Sequence, residues 1–481
     1  MKLIYNISKI GLLATFAMLL LLTSCKDDLP GPLDTSSNIT VLKAIKIVNA
    51  GANGDMVLEG VVDEDKKTVS FPRIEPETDF SNLKFEAELS NGAKLDKESY
   101  DIAFEEGQSS KVITVKAINE PRYREYLVTL RLKVPVFGAD FEKVATFDYT
   151  SNPLGNPIYE AFSGALTRGS GFDGEHVLIV RRETATTFSP HLLSVNDLKA
   201  NVIKKIPLNT TGITGGTYYI NMGAQIKGHT YIVNLSSNAP TNPVKIYHWT
   251  DPSVAPEIIA NINVADVAGG GARHGDNFSV SLDDQGDGYI FLGDNAGGKI
   301  LRLKVANYTT VTEPSAFAVP ITGGGSWTSY NRIGNSAEYI FTGHDAPVAL
   351  VNEGGTLSFS MSRTAIPIRG SDARVIYFNE ERYLIVTTAA RTLSEPTNFI
   401  VYDITKGATV KDALTNLNQQ TDIKPVFEYS LMGPVNTSPA SQTGFYVKKD
   451  TEGNDESLML YSGASDTGFV FFEFPKKVAE D

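Results

Sequence analysis

Short runs of alternating apolar and polar residues recur along most of this chain, and a period of two marks a strand with one buried face. Between Ile39 and Val134 the runs are Val41 to Val48, Thr68 to Phe71, Leu83 to Leu89, Lys111 to Ile118 and Tyr126 to Leu132. Turn-forming clusters separate them, among them Asn49-Ala-Gly-Ala-Asn-Gly54 and Asp63-Glu-Asp-Lys-Lys67. About seven short strands within roughly 100 residues predict an immunoglobulin-like sandwich over residues 39–135. Pro135 to Asp140 is the expected boundary of the next module.

Over residues 141–481 the pattern repeats itself. An apolar strand core recurs at His176 to Val180, His229 to Val233, Gly288 to Leu292, Glu338 to Phe341, Arg382 to Val386 and Ser457 to Tyr461. A polar turn, usually with glycine, precedes each core, and a further strand follows it: Val244 to Trp249, Lys299 to Leu303, Phe399 to Tyr402, Gly468 to Phe474. A fourth strand closes most units, at Val202 to Leu208, Glu257 to Val264, Ala316 to Ile321 and Val426 to Tyr429. Four strands per unit of roughly 45 to 75 residues, with little helix between, predict a β-propeller. The six central strands predict six blades. The last unit lacks a fourth strand of its own, and Glu142 to Tyr149 has the character of the missing one, so the ring is expected to close through that N-terminal strand. The fold class expected is therefore all-β, a sandwich followed by a propeller.

Composition narrows the chemistry. The chain has 481 residues, a net charge of −13, 41 glycines and one cysteine. A single cysteine excludes an internal disulfide and a Cys-rich metal site. The acidic balance argues against nucleic-acid binding, which needs charge that neutralises phosphate. The cysteine is Cys25, and its surroundings are informative: Lys2 and Lys9, an apolar stretch from Ile10 to Leu22, then Thr23-Ser24-Cys25. That arrangement predicts a secretory signal over residues 1–24, with an apolar run too short for a membrane span of about 20 residues. Residues 25–38, rich in Pro, Gly, Ser and Asp, predict a flexible tether. Cleavage would remove two lysines and no acid, leaving a more acidic chain.

In a propeller the loops between blades and those joining the second and third strands share one face, around the channel mouth. Glycine-rich stretches fall in the inter-blade loops: Thr210 to Tyr219, Gly269 to His274, Gly323 to Trp327, Pro367 to Asp372. The residues expected to line the mouth are Tyr218, Tyr219, Arg273, His274, Trp327, Tyr330, Arg369 and Asp372. The second loop set adds Arg181, Arg182, Asn238, Asp294, Asn295, His344, Asp345 and Arg391. Aromatic rings beside Arg, Asn and Asp suit a sugar, whose C–H faces stack while its hydroxyls take hydrogen bonds. Arginines near the axis would also accept the carboxylates of acidic sugars.

Other motifs carry less. Gly293 to Lys299 matches most of a phosphate-binding loop, but Ile300 stands where a magnesium-binding Ser or Thr belongs, and the context is strand–loop–strand. Asp283, Gln285, Asp287 and Asp294 have the spacing of a weak calcium loop, yet a hairpin turn needs the same residue types. The six histidines form no closely spaced pair, and no Gly-x-Ser-x-Gly elbow occurs. Paired carboxylates for glycoside cleavage stay open, because 56 acidic residues offer many pairs. No metal site and no catalytic residue is assigned.

Leu22-Thr23-Ser24-Cys25 resembles the bacterial lipoprotein box, which implies removal of the signal and lipidation of Cys25. Lys26-Asp27-Asp28 resembles the export signal of Bacteroidetes surface lipoproteins, which implies display on the outer membrane. Pro76 to Leu83 followed by Ser90-Asn-Gly-Ala93 looks like the Ig-like repeats that open many of those proteins. The whole layout resembles Bacteroidetes surface lipoproteins with an Ig-like module and a propeller, many linked to glycan uptake. The resemblance implies a non-catalytic protein, anchored only by lipid, whose propeller face binds an extracellular glycan as part of a nutrient-uptake system. The alternatives are a propeller polysaccharide lyase or hydrolase, and a scaffold for a partner protein in an outer-membrane complex.

Overall fold

The computed structural model describes residues 39–478, apart from 106–107, 151–158, 160–161, 163–166, 238, 323–326, 367–368 and 439. Cys25, the signal, the tether, Asn238 and the Gly323–Ser326 stretch therefore lie outside the described residues. The chain divides into two compact units meeting between Pro135 and Val136. Among the described residues no helix is long and apolar enough to cross a membrane.

The first unit has eight strands: β1 (Leu42–Ala50), β2 (Met56–Asp63), β3 (Thr68–Ser70), β4 (Leu83–Leu89), β5 (Lys94–Leu95), β6 (Ser99–Tyr100), β7 (Ser110–Asn119) and β8 (Arg122–Arg131). Their order is β5-β7-β8-β3-β2-β1-β4-β6, antiparallel except for the parallel pair β3 and β8. The period-two pattern explains the core: Tyr126, Val128 and Leu130 point inward from β8 and meet Ile45, Ile47, Val69, Phe71 and Val115. At about 1.5–3 kcal/mol for each fully buried large side chain, this one face holds the unit together.

The second unit is a six-blade β-propeller arrangement of four-stranded sheets. The inner strands are Gly169–Phe172, Tyr218–Ile226, Ser279–Leu282, Thr328–Arg332, Gly370–Phe378 and Ser441–Lys449, in blades one to six. The outer strands are Lys205–Pro207, Glu257–Ile262, Thr310–Ala318, Leu357–Ser360, Phe427–Ser430 and, in the sixth blade, Ala145–Asp148. Ala145–Asp148 runs antiparallel to Gly468–Pro475, with Phe147 stacked on Phe471 at 4.7 Å.

A separate apolar cluster lies between each pair of neighbouring blades. Blades one and two share Val180, Ile220 and Ile232; blades three and four share Phe291, Tyr330 and Phe341. Blades six and one share Tyr461, Phe471, Phe172 and Ile179. The cluster between blades four and five also takes a helix, Val410–Asn418. Thr409 and Asp412 form a capping box at its start, and Val410, Ala413, Leu414 and Leu417 supply its buried stripe.

The axis is polar and almost filled. Ser371 and Ser441 hydrogen-bond each other, and Gln442 accepts from the Ser170 amide at 2.5 Å and donates to Gly223 O at 2.7 Å. A remaining cavity of about 20 Å³, near the size of one water, is lined from blades two to six by residues including Met222, Asp276, Trp327, Asp372 and Ser441.

Candidate functional site

Register decides which residues share the mouth. The start of each inner strand pairs with the end of the second strand: Gly169 with Val180, Tyr218 with Leu235, Thr328 with Gly343, Gly370 with Thr388 and Ser441 with Ala464. One end of the ring therefore carries both the residues entering the inner strands and the loops after the second strands.

At blades four and five this end is a charge-balanced knot. Arg369, in a left-handed conformation with φ of +75°, donates through Nε to Glu395 at 2.9 Å and through Nη1 to Asp345 at 2.8 Å. His344 is fully buried; its Nδ1 lies 2.9 Å from Asp345 Oδ2, and its Nε2 lies 2.7 Å from Arg369 Nη1. A guanidinium only donates, so Nε2 is the acceptor and Nδ1 carries the proton. Burial lowers the His344 pKa further than Asp345 raises it. Neither nitrogen is free to take a proton from a ligand. Burial pushes the Glu395 carboxyl up, but the Arg391 amide and the Arg369 guanidinium outweigh it and hold the carboxyl low. The Arg391 guanidinium lies 5.1 Å from the Trp327 ring, and His344 meets that ring edge-on at 5.3 Å. Trp327 Nε1 is buried without an acceptor. A cavity of about 120 Å³ opens beside His344, Asp345, Arg363 and Arg369.

At blades one to three the balance is different. Arg182 is buried, with its guanidinium 3.8 Å from the Tyr218 ring centre and Nη1 donating to Asn221 Oδ1. Asn221 Nδ2 donates to Gly275 O at 2.5 Å, which ties blade two to the loop ahead of blade three. In that loop Arg273 grips Asp276 through Nη2 at 2.7 Å and Nε at 3.1 Å. Burial lowers the Arg182 pKa to about 10, with the neighbouring Arg168 charge adding to the effect. Burial also lowers that of Arg168, which feels Asp276, Arg273 and Tyr218.

Several expected mouth residues serve the fold instead. Tyr330 is a correction: it is buried between blades, stacked on Phe291 at 4.1 Å, with its hydroxyl donating to Asn352 O. His274 is another: it is wholly buried, its Nδ1 3.1 Å from Leu292 O and its Nε2 2.5 Å from Gly270 O. Asp372 is a strut between blades, accepting from Asn331 Nδ2 at 2.6 Å and from the Thr443 amide at 2.6 Å. Asp294 shapes its own turn, accepting from the amides of Gly298 at 2.8 Å and Lys299 at 3.1 Å. Asn295 clamps Arg273 in place, its amide donating to Arg273 O at 2.9 Å and its Oδ1 accepting from the Arg273 amide at 3.3 Å. Tyr219 packs against Phe188, and Arg181 pairs with Glu183 at 3.2 Å.

The calcium-loop spacing does not become a shared site. Asp283 Oδ1 accepts from the amides of Gln285 at 3.0 Å and Asp287 at 2.9 Å, while Asp294 stands beyond the far end of the intervening strand Gly288–Gly293. Six residues of strand separate them by about 20 Å. Among the described residues no three His, Cys, Asp or Glu side chains gather where they could hold a metal ion. Arg168, Asn221 and Asp276 were not anticipated from sequence. The signal for Arg168 is a repeated tripeptide: Arg-Gly-Ser enters blade one at 168–170 and blade five at 369–371.

A family model for a domain of unknown function, DUF4623, matches residues 27–477. The chain belongs to the DUF4623 family. A crystal structure of a DUF4623 family protein from Bacteroides eggerthii is 41% identical, covers 91% of this chain and 99% of that one, and has a TM-score of 0.76. An endo-arabinase from Bacteroides thetaiotaomicron is 11% identical over 67% of this DUF4623 chain and 97% of its own, with a TM-score of 0.31. The WD40 β-propeller domain of Doa1 is 9% identical over 76% and 93%, with a TM-score of 0.33. Neither of these two distant likenesses carries anything about activity. Among curated proteins nothing matches this DUF4623 sequence.

Proposed function

We propose that the mouth of the propeller binds an extracellular glycan without cleaving it. The observation that carries this reading is the gathering of guanidinium groups, aromatic rings and buried unpaired donors at one end of the ring, where Arg182, Tyr218, Trp327, Arg369 and Arg391 stand. Planar donors beside rings match the alternation of hydroxyls and C–H faces on a sugar. A binding role is supported further by His344, whose two nitrogens are already engaged by Asp345 and Arg369, because general acid–base work needs a group free to reach the substrate.

The remaining parts fit a surface assembly. Cys25 carries the lipid, residues 26–38 form the tether, and the first unit, an Ig-like sandwich, is a spacer for the propeller at the outer-membrane surface. An uptake partner in that membrane would receive the glycan. The pairing of Ala145–Asp148 with Gly468–Pro475 latches the ring shut and removes two exposed edges.

A glycan-array screen of the whole secreted chain, followed by product analysis of every ligand found, tests the reading. Saturable binding with the glycan recovered intact is expected. Shortened or unsaturated products would replace it with a lyase or hydrolase, and binding to no glycan would overturn it.

A further inference from the structure

A cavity of about 510 Å³ lies away from the axis, on the outer flank where blades four and five meet. That is within the range of about 300–1,000 Å³ common to ligand pockets. Its floor comes from blade five. Ile400 and Tyr402 share one face of the strand Asn398–Asp403, and Glu428 pairs with Ile400 from the outer strand, so all three face blade four. One wall is Ser362, just after the outer strand of blade four, and the other is Asn418, the last residue of the helix Val410–Asn418. Asn418 Oδ1 accepts from the Ser362 amide at 2.7 Å, which ties the walls together and leaves Asn418 Nδ2 to donate.

A buried phenol ordinarily finds an acceptor within the protein. Tyr231 donates to Tyr308 O at 3.0 Å and Tyr247 to Thr214 O at 2.9 Å. Tyr402 is 3% exposed, and its hydroxyl has no partner among the described residues. Nor is that hydroxyl sealed in, as Trp327 Nε1 is, so it faces the cavity that Tyr402 lines. Burial, with the Glu428 carboxylate adding to it, raises the Tyr402 pKa to about 12, so the phenol is a donor at neutral pH. Glu428 Oε1 accepts from Asn398 Nδ2 at 2.7 Å, and its second oxygen is left to the cavity. A phenol O–H and a carboxylate oxygen thus face the same space. One ligand hydroxyl satisfies both, accepting from Tyr402 and donating to Glu428.

The rest of the lining sets the ligand class. No lysine or arginine is among its described residues, which disfavours an anion. Asp422 on the rim is balanced by Lys424 at 3.1 Å, so the rim builds no strong site for a cation either. Hydroxyls and carboxamides, such as those of Ser362, Asn418 and Gln420, stand beside apolar surface from Ile423 and Pro425. That mixture complements the hydroxyls and C–H faces of an uncharged sugar.

We propose that the flank cavity between blades four and five is a second saccharide site, which takes a neutral oligosaccharide with one hydroxyl held between Tyr402 and Glu428. This site shares its ligand class with the mouth but stands on its own residues, so either can fail without the other.

Isothermal titration of the whole secreted chain with linear neutral trisaccharides of glucose, galactose, xylose and arabinose tests the site. At least one should bind with a component that Tyr402→Phe, which removes only the hydroxyl, weakens about three- to tenfold. Glu428→Gln, which loses the carboxylate, should weaken the same component. The melting temperature of ligand-free Tyr402→Phe should be unchanged, because the hydroxyl bonds nothing in the protein. A fall of several degrees would reveal a partner within the fold and overturn the site. Equal binding to the wild type and to Tyr402→Phe would put the sugar elsewhere, overturning the flank site while the mouth reading stands. Binding to none of the four would also overturn it, whereas the mouth is judged by the wider array. Tighter binding of a glucosamine trisaccharide than of its N-acetylated form would overturn the choice of a neutral ligand.

Discussion

Blades one and five enter the ring through the same tripeptide, Arg168-Gly169-Ser170 and Arg369-Gly370-Ser371, yet the two sides of the mouth settle their charges differently. Arg369 meets Asp345, Glu395 and a neutral His344, so its own charge has opposites at hydrogen-bond distance. Arg182, beside Arg168, has an amide oxygen and a ring face. A satisfied pair is architecture, whereas a buried cation without its counter-ion costs stability that something else must justify. The difference teaches that neighbouring blades can bury an arginine either in a salt-bridged knot, as at Arg369, or against neutral partners, as at Arg182.

The strongest way to break the comparison is to separate the blades on the Arg182 side. A Cβ at Gly169 would stand 2.7 Å from Met222 Cα and 2.8 Å from Asn221 O, both backbone atoms of blade two. Gly169→Val should therefore cost about 3 kcal/mol, read by urea denaturation, and should loosen the Asn221 that holds Arg182. A cost below about 0.5 kcal/mol would mean that the close contact of blades one and two does not position this side.

Next in size is the paired replacement of the two arginines. Arg369→Met strands Asp345 and Glu395 beside each other and should cost about 1–2 kcal/mol, reduced from a fully buried case because Asp345 is partly exposed. Arg182→Met removes a cation that has no partner, and should cost nothing or gain about 1 kcal/mol in ligand-free protein. The sign of the difference between the two melting shifts is the measurement. If Arg182→Met is the more damaging, its charge is matched within the protein and the contrast disappears.

The pH dependence separates the sides further. His344 has a pKa lowered from 6.5, first by burial and then by Arg369 and Arg391, against the pull of Asp345. The folded state therefore binds fewer protons than the unfolded one below pH 6.5, so stability is complete above that value and falls as pH drops toward the folded pKa. His344→Gln should flatten the stability profile on the acid side of pH 6.5, by less than about 1.4 kcal/mol per pH unit. The slopes are the readout, since the substitution also alters bonds to Asp345 and Arg369. An unchanged slope would mean that His344 is not the group titrating.

Much of this architecture is written in the chain. The six central strands are dense in Val, Ile, Leu and aromatics because they are buried on both faces, and they announce the six blades. The outer strands are less legible: Lys205–Pro207 is three residues long, and Leu357–Ser360 has no counterpart in the alternation read from sequence. The helix at Val410–Asn418 was missed although Thr409, Asp412 and the spacing of its apolar residues announce it. At the mouth, the glycine-rich loops point to the right end of the ring but not to the right side chains. Trp327 and Tyr330 lie three residues apart at the start of one strand, and alternation sends Tyr330 between the blades. His274 and His344 look like exposed polar residues in sequence, since their burial depends on partners in other blades. Arg168 is less legible because no glycine pair precedes it, although its tripeptide recurs at Arg369.

The smallest expected effect tests how the balanced side holds Trp327. The Arg391 guanidinium lies over that ring at 5.1 Å while the Arg391 amide donates to Glu395 Oε2 at 2.8 Å. One residue thus joins the ring to the charge knot, and the two contributions can be separated because Arg391→Gln keeps the amide and loses the cation. A double-mutant cycle of Arg391→Gln with Trp327→Leu should give a coupling of about 0.5–1 kcal/mol in thermal or urea unfolding. A coupling near zero would mean that the ring is held by His344 and the surrounding backbone alone, leaving Arg391 free to turn toward a ligand. In that case the balanced side too would offer an unmatched guanidinium, and the contrast with Arg182 would be one of degree.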